Sequence, residues 1–70
     1  MLSGKDVIAI LSSFGFSVVG QKGSHVKLRK NLGSKIVTTI VPLHRELAHG
    51  TLKGILELAE IDEKEFRENI

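Results

Sequence analysis

The stretch Gly20-Gln21-Lys22-Gly23-Ser24-His25-Val26-Lys27-Leu28-Arg29-Lys30 holds the residues best suited to chemistry in this chain. Histidine has an ordinary pKa near physiological pH, so His25 can either take or give a proton. Cationic side chains can balance charge that develops on a phosphate, and Lys22, Lys27, Arg29 and Lys30 supply them here. The reaction that suits so small a set is scission of a ribose phosphodiester. RNA carries its own nucleophile, the 2′-hydroxyl. A histidine that takes that proton, or gives one to the leaving 5′-oxygen, needs no serine, cysteine or metal beside it. Such proton transfer is typically worth about 10²–10⁴-fold, so a modest activity is expected. A histidine at the head of a strand is also commonly a plain solvated residue, and residue types alone leave both readings open.

Other chemistries are poorly furnished. His25, His44 and His49 are possible metal ligands, but there is no cysteine, no His-Glu-x-x-His motif and no acid near them except Glu46. No metal site is therefore expected. Gly20, Gly23 and Gly33 do not open a helix after a strand, so they do not read as a phosphate cradle. No Ser-His-Asp triad can be assembled from the few candidates. All three aromatics are phenylalanines, and Phe14 and Phe66 read as core, which leaves little for stacking on bases. No cofactor is expected.

Size and charge limit where the chemistry can sit. The 70 residues make one small domain spanning residues 1–70. A chain of this length buries only about 60% of its unfolded surface, so a deep enclosed pocket is not expected and any site must lie on an open face. Hydrophobic residues make up 41%, enough for a thin core. The absence of cysteine fits a reducing compartment. No apolar run reaches the ~18 residues of a membrane span, and Met1-Leu2-Ser3-Gly4-Lys5-Asp6 lacks the features of a signal peptide. The expected location is the cytoplasm, with no membrane partner. The net charge is only +2, but it is unevenly distributed. From Lys22 to Lys53 lie Lys22, Lys27, Arg29, Lys30, Lys35, Arg45 and Lys53, with Glu46 the only acid. After Lys53 acids dominate. A basic middle suits a polyanion, although an ordinary solvated surface has the same composition.

The elements that must position these residues follow from periodicity. Ser3-x-x-Asp6 resembles a capping box, and Val7, Ile8, Leu11 and Phe14 recur at helical spacing, predicting a helix from Gly4 to Phe14 that ends at Gly15. Phe16–Gly20 reads as a strand and Gln21–Gly23 as a turn. His25–Lys30 alternates with period two, predicting a second strand, and Asn31–Ser34 reads as the next loop. Lys35–Val41 is a β-branched third strand stopped by Pro42. Leu43–Gly50 is read as a loop. Thr51 then caps a second helix whose apolar face is Leu52, Ile55, Leu56 and Ala59, weakened at Gly54. Asp62-x-x-Glu65 suggests a short terminal turn that returns Phe66 to the core.

Two helices can cover only one face of a three-stranded sheet. The expected fold is α+β with two layers in the order α-β-β-β-α, a three-stranded antiparallel sheet and both helices on one face. Val26 and Leu28 then face the helices, while His25, Lys27 and Arg29 face water. With Asn31–Ser34 as the loop, Lys30 pairs near Lys35 and His25 near Ile40, with a slip of one residue allowed by the evenly apolar third strand. Either register brings His25 close to Pro42-Leu43-His44, so that His25, His44 and Arg45 share a corner of the sheet.

The motifs resemble those of the HicA family of small bacterial toxins. The likeness begins with SGKDVIAILSSFGF, continues through KGSHVKLRK and closes with VPLHRELAHGTLKGILELAEIDEKEF, nearly the whole chain. Each piece is weak alone, and the three in order are fairly specific. The resemblance implies a fold like the double-stranded-RNA-binding domain. It implies an endoribonuclease, an mRNA interferase that stops translation, and a HicB-type antitoxin that covers the active surface. The family's catalytic histidine falls on His25, with Gly23 and Ser24 before it and His44 after the proline. Lys22, Lys27, Arg29, Lys30 and Arg45 are the expected RNA contacts. The alternative is a non-catalytic RNA-binding module of the same fold.

Overall fold

The computed structural model describes all 70 residues, Met1–Ile70. The first helix, α1 (Gly4–Ser13), starts where its capping box places it. The Asp6 amide donates to the Ser3 hydroxyl oxygen at 3.0 Å, and the Ser3 amide donates to the Asp6 carboxylate at 2.9 Å. These two bonds satisfy amide donors that a helix start leaves without partners. The helix stops at Phe14, and the following Gly15 takes the left-handed φ of +94°.

Three strands follow: β1 (Ser17–Lys22), β2 (His25–Asn31) and β3 (Ile36–Pro42). They form one antiparallel sheet in the order β1-β2-β3. β1 runs two residues further than its composition suggested, so Gln21 and Lys22 are strand and only Gly23 and Ser24 form the turn. Gly23 has φ +58°, the positive value required at the first central position of a tight hairpin. The second hairpin is also displaced. Its loop is Leu32–Lys35, closed by a 2.8 Å bond from the Leu32 amide to the Lys35 carbonyl, and Asn31 belongs to β2. His25 consequently pairs with Pro42 and Lys30 with Val37, two residues from the expected register. A shift of two preserves every side chain's face, because strand side chains alternate with period two.

The last two elements are α2 (His49–Ala59) and α3 (Glu63–Arg67). α2 begins two residues before Thr51. Ala48 stands at its cap position without a side-chain bond, so the expected Thr51 cap is not formed. Glu60 ends the helix in the left-handed conformation, and its carboxylate meets Lys35 at 2.7 Å. Asp62 occupies the α3 cap position but makes no capping bond.

The core is one cluster on one side of the sheet. Val26 and Leu28 of β2, with Val37 and Val41 of β3, meet Val7 and Leu11 of α1 and Leu52, Ile55, Leu56 and Ala59 of α2. Phe66 of α3 is fully buried and lies against Phe14 with ring centroids 6.4 Å apart. Thr39 is the polar exception. Its hydroxyl is buried and donates to the Ile55 carbonyl at 2.8 Å, which satisfies a group that is costly to bury alone. The expected two-layer α+β fold, with an antiparallel sheet open on one side, is the fold observed. No helix is long and apolar enough to cross a membrane.

Candidate active site at a corner of the open sheet

The open face is a small lattice fixed by register. Along β2 the outward residues are His25, Lys27 and Arg29, all exposed, alternating with buried Val26 and Leu28. Opposite them on β1 stand Lys22, Gly20 and Ser17, and on β3 Pro42, Ile40 and Thr38. A bulge between Val18 and Gly20 restores this facing after one extra residue in β1.

The His25 end of this lattice is braced from three sides. The Ser24 carbonyl accepts from the Leu43 amide at 2.7 Å, tying the first hairpin to the segment after β3. The Gln21 side chain donates to the Gly23 carbonyl at 3.0 Å. Both carbonyls of the two-residue turn are thus engaged. The Gly4 amide donates to the His44 carbonyl at 2.9 Å, fixing the backbone beyond Pro42 against the start of α1. Gly4 is buried so closely that a Cβ there would stand 2.1 Å from the Pro42 carbonyl oxygen. Gly23, Ser24, His25 and the Pro42-Leu43-His44 segment therefore form one corner, as the sequence suggested. Gln21 and Gly4 were missed. Their contribution is backbone bracing between distant segments, which leaves no residue-type signature.

The remaining expected residues divide. Lys22, Lys27 and Arg29 share the His25 face, and Arg45 lies exposed just beyond His44. Lys30 does not join them. It pairs with buried Val37 on the helix side, and its side chain runs past Gly15, where a Cβ would meet the Lys30 Cε at 3.3 Å. Alternation from His25 already puts residue 30 on the covered face; its charge had suggested otherwise. The open face is also less uniformly basic than expected. Ile40 beside Lys27 is 39% exposed, and Ile36 beside Asn31 is 57% exposed. Both were hidden in the sequence because the two sides of β3 are almost equally apolar.

His49 sits elsewhere. It opens α2, and its Nε2 lies 3.0 Å from a Glu63 carboxylate oxygen that also accepts from Arg67 at 2.9 Å. Those bonds, Arg67 first and His49 second, hold the Glu63 carboxyl below its ordinary range. The Asp6 carboxyl is likewise lowered, chiefly by the Ser3 amide. The three histidines form no common metal-holding group.

The match to known sequences spans these same elements. A family model described as the HicA toxin of bacterial toxin-antitoxin matches residues 4–61 of the 70. The chain belongs to the HicA toxin family. The matched region runs from the first residue of α1 through the sheet and α2, and includes Gly23, Ser24, His25 and His44. HicA membership makes this a toxin of the toxin–antitoxin type, a role that implies an antitoxin partner. No curated protein gives a match to the chain.

Proposed function

We propose that this HicA-family protein is an endoribonuclease that cleaves mRNA by metal-independent acid–base chemistry at His25 and so inhibits translation. The observation that carries the reading is the setting of His25. It is exposed at the head of a cationic row, on a backbone pinned by the Ser24–Leu43 bond, and, unlike the His49 ring, its ring takes part in none of the side-chain hydrogen bonds or ion pairs. An imidazole so held is free to exchange protons with a substrate. Lys27 and Arg29 contact phosphates along the strand, Arg45 reaches the backbone at the corner, and Gly23, Ser24 and His44 support the site. A HicB-type antitoxin covers the same open face, and the toxin acts in the cytoplasm, where its mRNA substrate is found.

The test is direct. The parent and His25→Ala are incubated with a long single-stranded RNA in EDTA, and products are resolved on a denaturing gel. Fragments from the parent alone support the proposal. Intact RNA in both lanes, from protein that is folded and binds RNA, would replace it with a non-catalytic RNA-binding module. Fragments from both lanes would remove His25 from the chemistry.

A further inference from the structure

The cations of the open face are not equivalent, and the hairpin geometry separates them. Lys22 is not in the turn; it is the last residue of β1 and pairs directly with His25 across a turn of only Gly23 and Ser24. Directly paired residues project to the same face with Cβ atoms about 4.5–5.5 Å apart. Lys27 and Arg29 lie two and four residues along β2, so at about 3.3 Å per residue they stand roughly 7 and 13 Å from His25. A lysine stem is long enough to put the Lys22 ammonium and the His25 ring on one phosphate; Lys27 starts farther off along the strand and Arg29 farther still. No acid competes for Lys22: it has no ion-pair partner, in contrast to Lys35, which is held by Glu60. The turn is also stiffened, since the Gln21 side chain and the Leu43 amide engage its two carbonyls.

Resting on the ribonuclease reading above, we propose that Lys22 is a catalytic residue, the cation that stabilises the scissile phosphate as it gains charge in the transition state. In that step the O2′ atom forms a bond to phosphorus and its proton passes to the His25 imidazole. The P–O5′ bond breaks, its electron pair leaves on O5′, and O5′ takes a proton from water while the imidazolium returns its own to solvent. The products are a 2′,3′-cyclic phosphate and a 5′-hydroxyl. Between attack and departure, negative charge builds on the non-bridging oxygens. An ammonium carried there by the braced hairpin acts more strongly on the transition state than on the ground state, and so raises kcat rather than affinity.

Single-turnover and steady-state cleavage of a short single-stranded RNA are measured for the parent, Lys22→Gln, Lys22→Arg, Lys27→Gln and His25→Ala, with circular dichroism as the check on folding. Lys22→Gln should lower kcat about 10²-fold, the scale seen when one transition-state donor is removed, with KM within about 3-fold. Lys22→Arg should recover most of the loss. Lys27→Gln should raise KM and keep kcat. A Lys22→Gln variant that raises KM alone, as Lys27→Gln does, would overturn the proposal and leave Lys22 a phosphate anchor. A parent and His25→Ala that both leave the RNA intact would instead overturn the ribonuclease reading and this proposal with it, and equal cleavage by both would remove His25, and with it the Lys22 step, from the chemistry.

Discussion

Two histidines of this chain each open an element, and the molecule treats them in opposite ways. His49 starts α2 and is held at 3.0 Å by Glu63, which Arg67 also grips. His25 starts β2 and has cations and a proline as neighbours, with no acid bound to its ring. The backbones contrast as well. Behind His25 the corner depends on Gly4, pressed against the Pro42 carbonyl, whereas Gly50 beside His49 has open space around it. One histidine is spent on joining two helices. The other is exposed on a rigid backbone with its proton-exchanging atoms free. Rigidity of the frame combined with freedom of the ring is what acid–base catalysis requires, because the group must be positioned without being already neutralised.

The largest test of that contrast is functional. His25→Ala should lose about 10²-fold or more of RNA cleavage, while His49→Ala should stay within about 2-fold of the parent, measured side by side on one RNA. Equal losses would erase the distinction between the two sites. The next largest is structural. Gly4→Ala forces a methyl group into the Pro42 carbonyl and should cost about 3 kcal/mol or more, at the upper end of overpacking penalties. Gly50→Ala, in the first turn of α2, should be neutral or stabilising by up to about 1 kcal/mol. Urea unfolding of both variants compares them directly, and a tolerated Gly4→Ala would mean the corner is not braced as described.

A smaller effect sharpens the energetic side of the comparison. Thr39→Val should cost about 1 kcal/mol, the worth of one buried hydrogen bond to Ile55, without altering cleavage. The smallest is a pH dependence. The Glu63 and Asp6 carboxyls are lowered in the folded protein, from ordinary values of 4.5 and 3.8. Their contribution is fully present above those ordinary values and disappears as pH falls through the lowered ones. Thermal melts between pH 6 and pH 2 should therefore show stability falling in acid. Glu63→Gln should shallow that fall slightly, and an unchanged slope would show that the His49 cluster adds nothing to it.

Some parts of this fold were legible because a short stretch of chain contained the whole physical cause. The Ser3–Asp6 capping box and the end of α1 at Gly15 are local events. The alternation in β2 assigns His25, Lys27 and Arg29 to one face whatever the register, as the two-residue shift showed. The errors have physical reasons of their own. Thr51 is a good capping residue by type, but α2 starts at His49, where Glu63 supplies an acid partner from 14 residues away. Gln21 and Lys22 look like turn residues by composition, yet pairing with Val26 and His25 makes them strand. Lys30 was grouped with the other cations by charge, but the pleat carries it to the covered side.

The sequence by itself therefore determined the kinds of element, their order and the core side of β2. Each of these follows from interactions within a few residues or from period-two and helical spacing. The tertiary structure alone decided which cation stands opposite His25, how the corner is held, where Ile36 and Ile40 emerge, and which histidine acquires an acid. Those outcomes depend on contacts between segments far apart in the chain, such as Gly4 with His44 and Ser24 with Leu43. Such contacts depend on the common core, which holds the strands in register with α1 and α2 across them.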